Sequence, residues 1–399
     1  MPMPVQNFCA FLPQPRASVG LFFRLLRLIA LLTALPASAN GPVTVTDLAG
    51  RSVRIPARVE RILLGEGRLL PALAILEPGD PSARLAGMMG DFEQLDAAGY
   101  AQWRERFPRL DAVPRVGRSQ AGSFSDERAL QLRPQVAIFG LGGGHGPGER
   151  DREALARLEA AGVAVVFVDF RHDPLGNTPR SIRVLGQVLG QSERAAAFNA
   201  YWQQQLQRVR QRLAERKPAA PTVFLESRVG LMSECCDTMV GMMGRLLDAA
   251  GGRNVARGLL PGEQGMLNPE LLLARQPAVY IGTAIGSVPQ TPQQQRQQQA
   301  SQRIVLGAGA TPEMARASLR GSLRRPLISP LQAVQQGRAH AIWHHFYNSP
   351  FNVVAVQAMA QWLHPDLFAD LDPRQTLQEM YRRFQPIALR GEYWISVEP

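Results

Sequence analysis

The sequence predicts an α/β fold of two lobes with a cleft between them. One observation is a duplicated unit, because residues 125–138 and 268–281 read almost alike. In each copy a glutamate, Glu127 or Glu270, lies in the first turn of a short leucine-rich helix, seven residues before a proline that ends the helix and precedes an apolar strand. The other observation is the alternation of strand and helix patterns, which is typical of mainly parallel sheets covered by helices.

The elements of the first lobe follow in chain order. A hairpin comes first, and short apolar strands and one clear helix follow it. These elements are a hairpin at residues 43–47 and 53–56, strands at 61–64 and 136–139, a helix at 149–161 and a strand at 163–169. A helix that ends at Gly190 then connects the lobes, and a long helix at residues 193–216 follows, with Pro218 close behind its end.

The second lobe begins with a strand at residues 222–226 and contains the second duplicated unit. Its other elements are a helix at 241–250, strands at 278–282 and 339–343, and helices at 351–363 and 373–384. The glutamine-rich residues 290–302 are expected to form an exposed loop or lid. The chain thus divides into a signal peptide (1–39), an N-terminal lobe (40–177), an inter-lobe helix (178–190), a C-terminal lobe (191–350) and C-terminal helices with a tail (351–399).

The N-terminus has the pattern of a secretory signal. Residues 21–35 are strongly apolar, and a small-x-small motif at residues 37–39 predicts cleavage between Ala39 and Asn40. The alternative is a retained membrane anchor, but arginines leave residues 28–35 as the longest uncharged stretch of the hydrophobic block, which is too short to span a bilayer comfortably. We therefore expect export to the periplasm.

Composition excludes several classes of protein. Removal of the three signal arginines takes the formal net charge from +11 to +8, and the basic residues are scattered, so a nucleic-acid partner is not expected. The many arginines suit an anionic ligand, which a guanidinium group grips at two points, although a GC-rich genome also explains them. Adjacent Cys235 and Cys236 are the only cysteines after the signal, which excludes a disulfide-built fold and a lipid-anchored mature N-terminus.

Several motifs together resemble the periplasmic substrate-binding proteins of ABC importers for iron-siderophore complexes, haem and vitamin B12. The motifs are Asp47-x-x-Gly50-Arg51, the two Glu-x6-Pro units, residues 249–256, and Ala333-Val334-x-x-Gly337-Arg338. The resemblance spans essentially all of the mature chain. It implies two α/β lobes joined by one rigid helix, a shallow cleft that closes little, a monomer, and a dimeric membrane permease with its ATPase as partner.

The same resemblance implies that Glu127 and Glu270 dock on arginines of the permease. A carboxylate on each lobe gives a two-point contact that fixes orientation and is weak enough to break. The alternative is purely local, because each glutamate also stabilises the dipole of its own helix by roughly 0.3 to 1 kcal/mol.

Candidate ligand-binding residues follow the carboxyl ends of the predicted strands, where open α/β sheets bind ligands. They are Glu66 and Arg68 after the first strand, Gly143 and His145 in the glycine-rich residues 140–146, Arg228 after the strand at 222–226, and Trp343, His344, His345 and Tyr347 after the last strand. Glycines allow backbone amides to approach an anion or a bulky chelate. The alternatives are a glycine turn without a ligand, and arginines that pair with Glu66 and Glu226 beside them.

The residues after the last strand suit a metal chelate. His344, His345 and Tyr347 can contact it by stacking, by hydrogen bonding or by direct ligation of iron. In an extended chain His344 and Tyr347 point to different sides, so we expect that not all three bind one ion. Ordinary packing is the alternative use of the cluster.

The sequence therefore predicts a receptor for a ferric chelate of the siderophore type, with iron as part of the ligand and no resident cofactor. A receptor for a free metal ion or an oxyanion such as molybdate is the second hypothesis. Cys235, Cys236 and the nearby methionines make a soft-metal site conceivable as well. A periplasmic metal-dependent enzyme is the third hypothesis, although the sequence has no zinc-protease, serine-hydrolase or nucleotide-binding motif.

Overall fold

The computed structural model describes residues 41–232, 235–289 and 291–397, so the predicted signal peptide and its cleavage site lie outside the described residues. The described chain begins with the expected hairpin. Its strands β1 (Val43–Thr46) and β2 (Ser52–Ile55) pair antiparallel.

The turn of this hairpin explains the Asp-x-x-Gly-Arg motif. The Asp47 side chain accepts hydrogen bonds from the backbone N–H groups of Ala49 at 3.0 Å and Arg51 at 2.9 Å, and Gly50 adopts a left-handed φ of 77°. Short acidic side chains commonly bond to their own backbone in this way, and glycine adopts positive φ at little steric cost. Asp47 also accepts from the N–H of Phe167 at 3.2 Å, which attaches the hairpin to the first lobe.

The first lobe is built on a parallel sheet with the strand order β4-β3-β5-β6. The strands are β3 (Ile62–Leu64), β4 (Leu85–Met88), β5 (Val136–Gly140) and β6 (Ala164–Val168). Almost all of their residues are buried, as expected for a parallel sheet covered on both faces. The α-helices of this lobe are α1 (Leu70–Leu76), α2 (Asp91–Leu95), α3 (Ala97–Arg106), α4 (Asp126–Gln131) and α5 (Arg152–Ala160).

Two long helices follow the first sheet, α6 (Pro174–Leu189) and α7 (Ser192–Arg216). Helix α6 begins four residues before the start of the inter-lobe helix expected from the sequence. Asp173 caps it, accepting a hydrogen bond from the N–H of Gly176 at 3.1 Å, and Pro174 occupies the first helical position, where a proline is tolerated. The helix contacts elements of both lobes, namely β1, β6, α1 and the later helices α8 and α13.

The second lobe has a mixed sheet with the order β10-β8-β7-β11-β12-β13, and β9 pairs with β7. Strands β7, β11 and β12 pair in parallel at its centre, whereas β8, β10 and β13 are antiparallel additions at the edges. The strands are β7 (Thr222–Glu226), β8 (Asp237–Met239), β9 (Arg253–Asn254), β10 (Gln264–Met266), β11 (Val279–Ala284), β12 (Ala339–Trp343) and β13 (Trp394–Ser396). The C-terminal tail thus contributes a strand to the second sheet.

The remaining helices surround this sheet. They are α8 (Met243–Ala249), α9 (Pro269–Arg275), α10 (Pro292–Ser301), α11 (Pro312–Leu323), α12 (Gln332–Gln335), α13 (Asn352–Leu363) and α14 (Pro373–Phe384). The described part of the glutamine-rich segment is mostly exposed, as expected, but most of it forms helix α10 rather than a loop. Thr291 and Gln294 explain the difference, because the side chain of each accepts a hydrogen bond from the backbone N–H of the other, at 3.1 and 3.2 Å, which is the pattern of a capping box.

The duplicated unit is the same in both lobes down to its helix ends. Ser125 caps α4 and Asn268 caps α9, each accepting a hydrogen bond from an N–H three residues later. A left-handed residue stands before the proline in each copy, Arg133 with φ of 46° and Gln276 with φ of 41°. The chain then enters β5 or β11.

The two sheets share one apolar core. A continuous cluster of buried side chains contains Ile62 and Val168 of the first sheet, Val223 and Ile342 of the second, and Val354 of helix α13. The structure confirms the α/β class and the two lobes with mainly parallel sheets. Among the described residues, no helix combines the length and the apolar character needed to cross a bilayer.

Candidate ligand-binding cleft

A cavity of about 450 Å³ is lined by residues that follow the carboxyl ends of strands in both sheets. Its ionisable lining consists of the arginines Arg68, Arg171, Arg228 and Arg303, the histidines His145, His344 and His345, and Tyr347. The cavity therefore lies between the lobes, where the sequence predicts the cleft.

Arg68 connects the two lobes at the base of this cleft. Its side chain is only 6% exposed, and its Nε donates to Asp91 at 3.1 Å. Its two terminal nitrogens donate to His345 at 2.9 Å and to His145 at 3.0 Å, and both lie 3.4 to 3.5 Å from the Tyr347 hydroxyl. Because protein atoms already occupy its donors, Arg68 is a structural tie between the lobes.

The hydrogen bonds to Arg68 define which ring nitrogen of His345 and of His145 is the acceptor, and so define the tautomer of both histidines. His345 accepts from Arg68 through Nδ1, so its Nε2 carries the proton that is donated to the carbonyl of Leu95 at 3.2 Å. His145 accepts through Nε2 and donates from Nδ1 to the carbonyl of Ser119 at 2.6 Å. Burial and the neighbouring Arg68 hold the pKa of His345 well below its usual value.

His344 is neutral as well. Burial, followed by the charges of Arg68 and Arg228, lowers the pKa of His344 to about 3. Its Nδ1 lies 2.9 Å from the Thr283 hydroxyl. His344 and His345 therefore add no positive charge to the cleft at neutral pH, and the arginines supply its cationic groups.

Glu66 is buried beneath the glycine-rich turn. It accepts hydrogen bonds from Arg171 at 2.9 Å and from Asn348 at 2.9 Å, and it lies 3.8 Å from Arg68. A Cβ atom at Gly140 would stand 2.3 Å from a Glu66 oxygen, and one at Gly144 would stand 2.6 Å from both Glu66 and Arg171. These two glycines leave room for a buried ion pair. The carbonyl of Gly143 accepts a hydrogen bond from Arg171 at 3.1 Å. A ligand-binding role for Gly143 stays a prediction.

Arg228 is held on the opposite wall. It forms two hydrogen bonds to Asp237, at 2.7 and 3.1 Å, and Gln264 donates to the same carboxylate at 3.1 Å. The neighbouring Glu226, which the sequence offers as a partner, instead binds Arg325 through two bonds of 2.6 Å.

Arg303 differs from the other three arginines. Its Nε donates to the carbonyl of Gly230 at 3.3 Å, and within the described residues no carboxylate pairs with it. Glu66, Asp91 and Asp237 balance the charge of the other three. The described lining thus keeps a surplus of positive charge, and Arg303 is the guanidinium group that no described carboxylate balances.

Apolar side chains complete the cavity. They are Leu95 of the first lobe and Leu231, Met239, Met242 and Ile285 of the second. A cavity with a cationic base and flexible apolar walls can hold an organic anion, because the arginines bind its charge and the methionines adapt to its shape.

The structure places most sequence-predicted residues in or directly below this cleft, but their local geometry differs in two respects. Residues His344–Asn348 form a 3-10 helix, so the expectation of an extended chain was wrong, and the rings of His344 and Tyr347 lie 4.8 Å apart on one side. Trp343 does not line the cavity, although its ring lies 5.2 Å from that of His345, which does.

Sequence reasoning missed Arg171 and Arg303. Arg171 follows the end of β6, so the rule that located Arg68 and Arg228 would also have found it. Arg303 comes after helix α10 and has no strand-end signal.

Direct metal ligation by His344, His345 and Tyr347 stays a prediction. Both ring nitrogens of His345 already form hydrogen bonds, and among the described residues no group of three His, Cys, Asp or Glu side chains could hold a metal ion. Cys235 and Cys236 are joined by a disulfide bond, which leaves no thiolate for a soft metal in this state.

Glu127 and Glu270 are both exposed in the first turns of α4 and α9. The described residues provide neither side chain with an ion-pair partner. Both carboxylates are thus accessible to another protein.

The fold and the cleft together define a bilobal solute-binding protein. The protein-family model for periplasmic binding proteins matches residues 86–304, more than half of the chain, and the chain belongs to this family. The resemblance found in the sequence is confirmed. A protein of this family binds a solute in the periplasm.

Solved structures show the same fold. FepB of Veillonella parvula, a TroA-like periplasmic binding protein, is 24% identical with a TM-score of 0.75, over 90% of this chain and 100% of that chain. The molybdate-bound MolA of Haemophilus influenzae is 15% identical, with a TM-score of 0.61 over 88% and 100% of the two chains. A haem-binding protein of Pseudomonas aeruginosa is 21% identical, with a TM-score of 0.50 over 77% and 93%. A search of curated protein sequences gives no match.

Proposed function

We propose that this protein captures an anionic ferric chelate of the siderophore type in the periplasm and delivers it to an ABC permease. The surplus of arginine charge in the cleft carries the proposal. Arg303 offers donors that no described carboxylate occupies, and guanidinium groups bind carboxylate, catecholate or similar oxygens at two points.

The size and walls of the cleft favour an organic chelate over a small oxyanion. Small-molecule pockets usually measure about 300 to 1,000 Å³, and the cleft of about 450 Å³ falls within that range. A tetrahedral oxyanion would leave the apolar side chains of Leu231, Met239 and Met242 without a partner. The organic shell of a chelate would contact them.

An oxyanion receptor is the second candidate. The same arginines can bind molybdate, and the molybdate-bound MolA has a similar fold. A bare-metal receptor has less support, because the described residues offer no cluster of three suitable ligands. We also propose that the protein performs no chemistry on its ligand, so that ATP hydrolysis by its partners drives import.

We further propose that Glu127 and Glu270 dock on cationic residues of the permease. Both are exposed, and they occupy equivalent positions in the duplicated units of the two lobes. Two equivalent carboxylates suit a permease made of two similar halves.

Tryptophan fluorescence provides the test of the ligand class. The chain from Asn40 to Pro399 would be titrated with ferric siderophores of each chemical class, haem, cobalamin, free metal ions and molybdate. We expect saturable quenching by a ferric chelate, because the ring of Trp343 contacts His345 at the edge of the cleft. Quenching by molybdate alone would favour the oxyanion receptor. If no compound of the panel changes the fluorescence, both candidates are rejected.

A further inference from the structure

A second, smaller cavity opens beside the cleft. Its volume is about 220 Å³, and we call it the side chamber. Four residues line both spaces, so the two adjoin each other: Gln94, Leu95, Ile285 and Arg303. Ala97 at the start of α3 forms one wall of the side chamber, and Gln297 of the glutamine-rich helix α10 forms another.

Hydrogen-bond donors dominate the polar lining of the side chamber. None of its described lining residues is acidic. The Oε1 atom of Gln94 accepts from the N–H and the hydroxyl of Ser119, at 2.9 and 2.7 Å, which assigns that atom as the oxygen and leaves the amide NH₂ group as donor. Arg303 stands at the junction with terminal nitrogens that no described carboxylate occupies.

The walls of the side chamber are fixed parts of the fold. The N–H of Ala98 donates to the Ser287 hydroxyl at 3.3 Å, which connects α3 of the first lobe to the second lobe. The N–H of Gly286 donates to the carbonyl of Ile304 at 2.9 Å, and a Cβ atom at Gly286 would stand 2.5 Å from that oxygen. The close approach of these two segments therefore requires glycine at residue 286.

We propose that the side chamber binds an extension of the ligand that carries amide, ester or hydroxyl oxygens, such as the backbone that links the iron-binding groups of a chelate. Acceptor oxygens on this extension match the donors of Gln94 and Arg303, and the chelated iron lies in the main cleft. This inference rests on the proposed function, because it assigns a second part of the same ligand.

Two matched pairs of ferric complexes test it. Ferric enterobactin has a cyclic triester backbone that the iron tris complex of N,N-dimethyl-2,3-dihydroxybenzamide lacks, whereas both carry one amide on each catechol ring. Ferrichrome has a peptide backbone that iron tris(acetohydroxamate) lacks. Within each pair the iron coordination is alike, so a difference in affinity reports the backbone. In at least one pair, the wild-type protein should bind the complete siderophore at least about tenfold more tightly than its stripped counterpart.

Two variants test whether the difference in affinity between the complete and the stripped complexes arises in the side chamber. Ala97→Trp fills the side chamber from an exposed helix position, and Gln297→Ala removes one amide from its wall. Both should weaken binding of the complete siderophore and leave the affinity for the stripped complex unchanged, which also shows that the variants are folded. Ala156→Trp on the exposed face of α5 is the matched control and should change neither affinity.

The outcomes separate this inference from the proposed function. If the wild type binds both members of each pair equally, or if Ala97→Trp and Gln297→Ala have no selective effect, the side-chamber assignment is wrong and the chelate receptor stands. If no complex in either pair binds to the wild type, the proposed function fails and the side-chamber assignment fails with it.

Discussion

At the scale of single residues, the arginines of the cleft divide into tied and available side chains. Arg68 donates to Asp91, His145 and His345, so its loss would leave a buried carboxylate without its cation. Within the described part of the chain, the Arg303 side chain has one hydrogen bond, to a backbone carbonyl. Identical side chains in one cavity are thus expected to serve stability in one case and ligand binding in the other.

Substitution by methionine separates these two roles. Arg68→Met should lower the free energy of unfolding by about 3 to 5 kcal/mol, because breaking a buried ion pair by removal of one partner is strongly destabilising. Arg303→Met should change the free energy of unfolding by no more than about 0.5 kcal/mol and weaken chelate binding at least about tenfold.

Urea unfolding and ligand titration of both variants measure these effects. A stable Arg68→Met protein would contradict the structural role of Arg68. An Arg303→Met protein with unchanged affinity for the chelate would contradict the ligand role of Arg303.

The rule that ligand-binding residues follow the carboxyl ends of strands locates side chains, but it does not identify the partners of those side chains. Arg68 and Arg228, which this rule selects, line the cavity, and Glu66 lies 3.8 Å from Arg68, because the rule follows from sheet topology alone. It could not show that Arg228 pairs with Asp237 rather than with Glu226, since that choice depends on the fold of the chain between them.

At the scale of elements, the duplicated unit carries the most specific prediction. The double variant Glu127→Ala with Glu270→Ala should bind the ligand with unchanged affinity and stop uptake, because both carboxylates are exposed and neither lines the cleft. Ligand titration of the purified protein and uptake of the labelled chelate by cells provide the two readouts.

A second double variant controls for the helix dipole. Glu153 and Glu313 are also exposed glutamates in the first turns of helices, α5 and α11. Their replacement by alanine removes a comparable dipole contribution of roughly 0.3 to 1 kcal/mol each, and uptake should continue. Normal uptake by the Glu127 and Glu270 variant, or an equal loss in the control, would refute the docking role.

The sequence predicts the long and strongly apolar elements well and the short ones poorly. Strands β5, β7 and β12 were located to within a residue, because buried parallel strands have uninterrupted apolar runs. Strand β4 was missed, since it is only four residues long and contains Gly87. Helix α10 was predicted as a loop because its glutamine-rich sequence has no periodic pattern of apolar residues, although glutamine is a good helix former.

At the scale of the whole molecule, the shared core makes the cleft a largely preformed site. Side chains from both sheets belong to one apolar cluster, and Arg68 ties the lobes at the base of the cleft. A large hinge opening would break this cluster, so small relative motions of the lobes are favoured.

Buried histidines make the stability of the whole molecule dependent on pH. Burial, with the charge of a nearby arginine, lowers the pKa of His340 and of His344 to about 3 and that of His345 well below its usual value. Their neutral forms stabilise the fold fully above pH 6.5, and this contribution is lost as the pH falls. Asp96 and Glu392 act in the opposite direction, because burial raises the pKa of Asp96 to about 6 and also raises the pKa of Glu392, but these two acids oppose three histidines.

The free energy of unfolding should therefore decrease between pH 6.5 and pH 4, by about 1.4 kcal/mol per pH unit for each extra proton that the unfolded chain binds. Urea unfolding at several pH values measures this slope. The variant Asp96→Asn should steepen the decrease, because it removes one of the two opposing acids while keeping the oxygen that caps α3. A flat profile in the wild type would show that the folded protein binds protons at these histidines as readily as the unfolded chain does, which would contradict their lowered pKa values.

The path of the C-terminal tail limits how this protein can be recombined with its relatives. Helix α14 packs on α1 of the first lobe, and Gln385 donates to the carbonyl of Pro71 at 3.0 Å, yet β13 completes the sheet of the second lobe. An exchange of whole lobes at the inter-lobe helix would separate this tail from one of its two supports. A change of ligand preference is therefore better attempted by grafting the segments that line the cleft. Such grafts keep the contacts of the C-terminal tail with the first lobe and with the sheet of the second lobe.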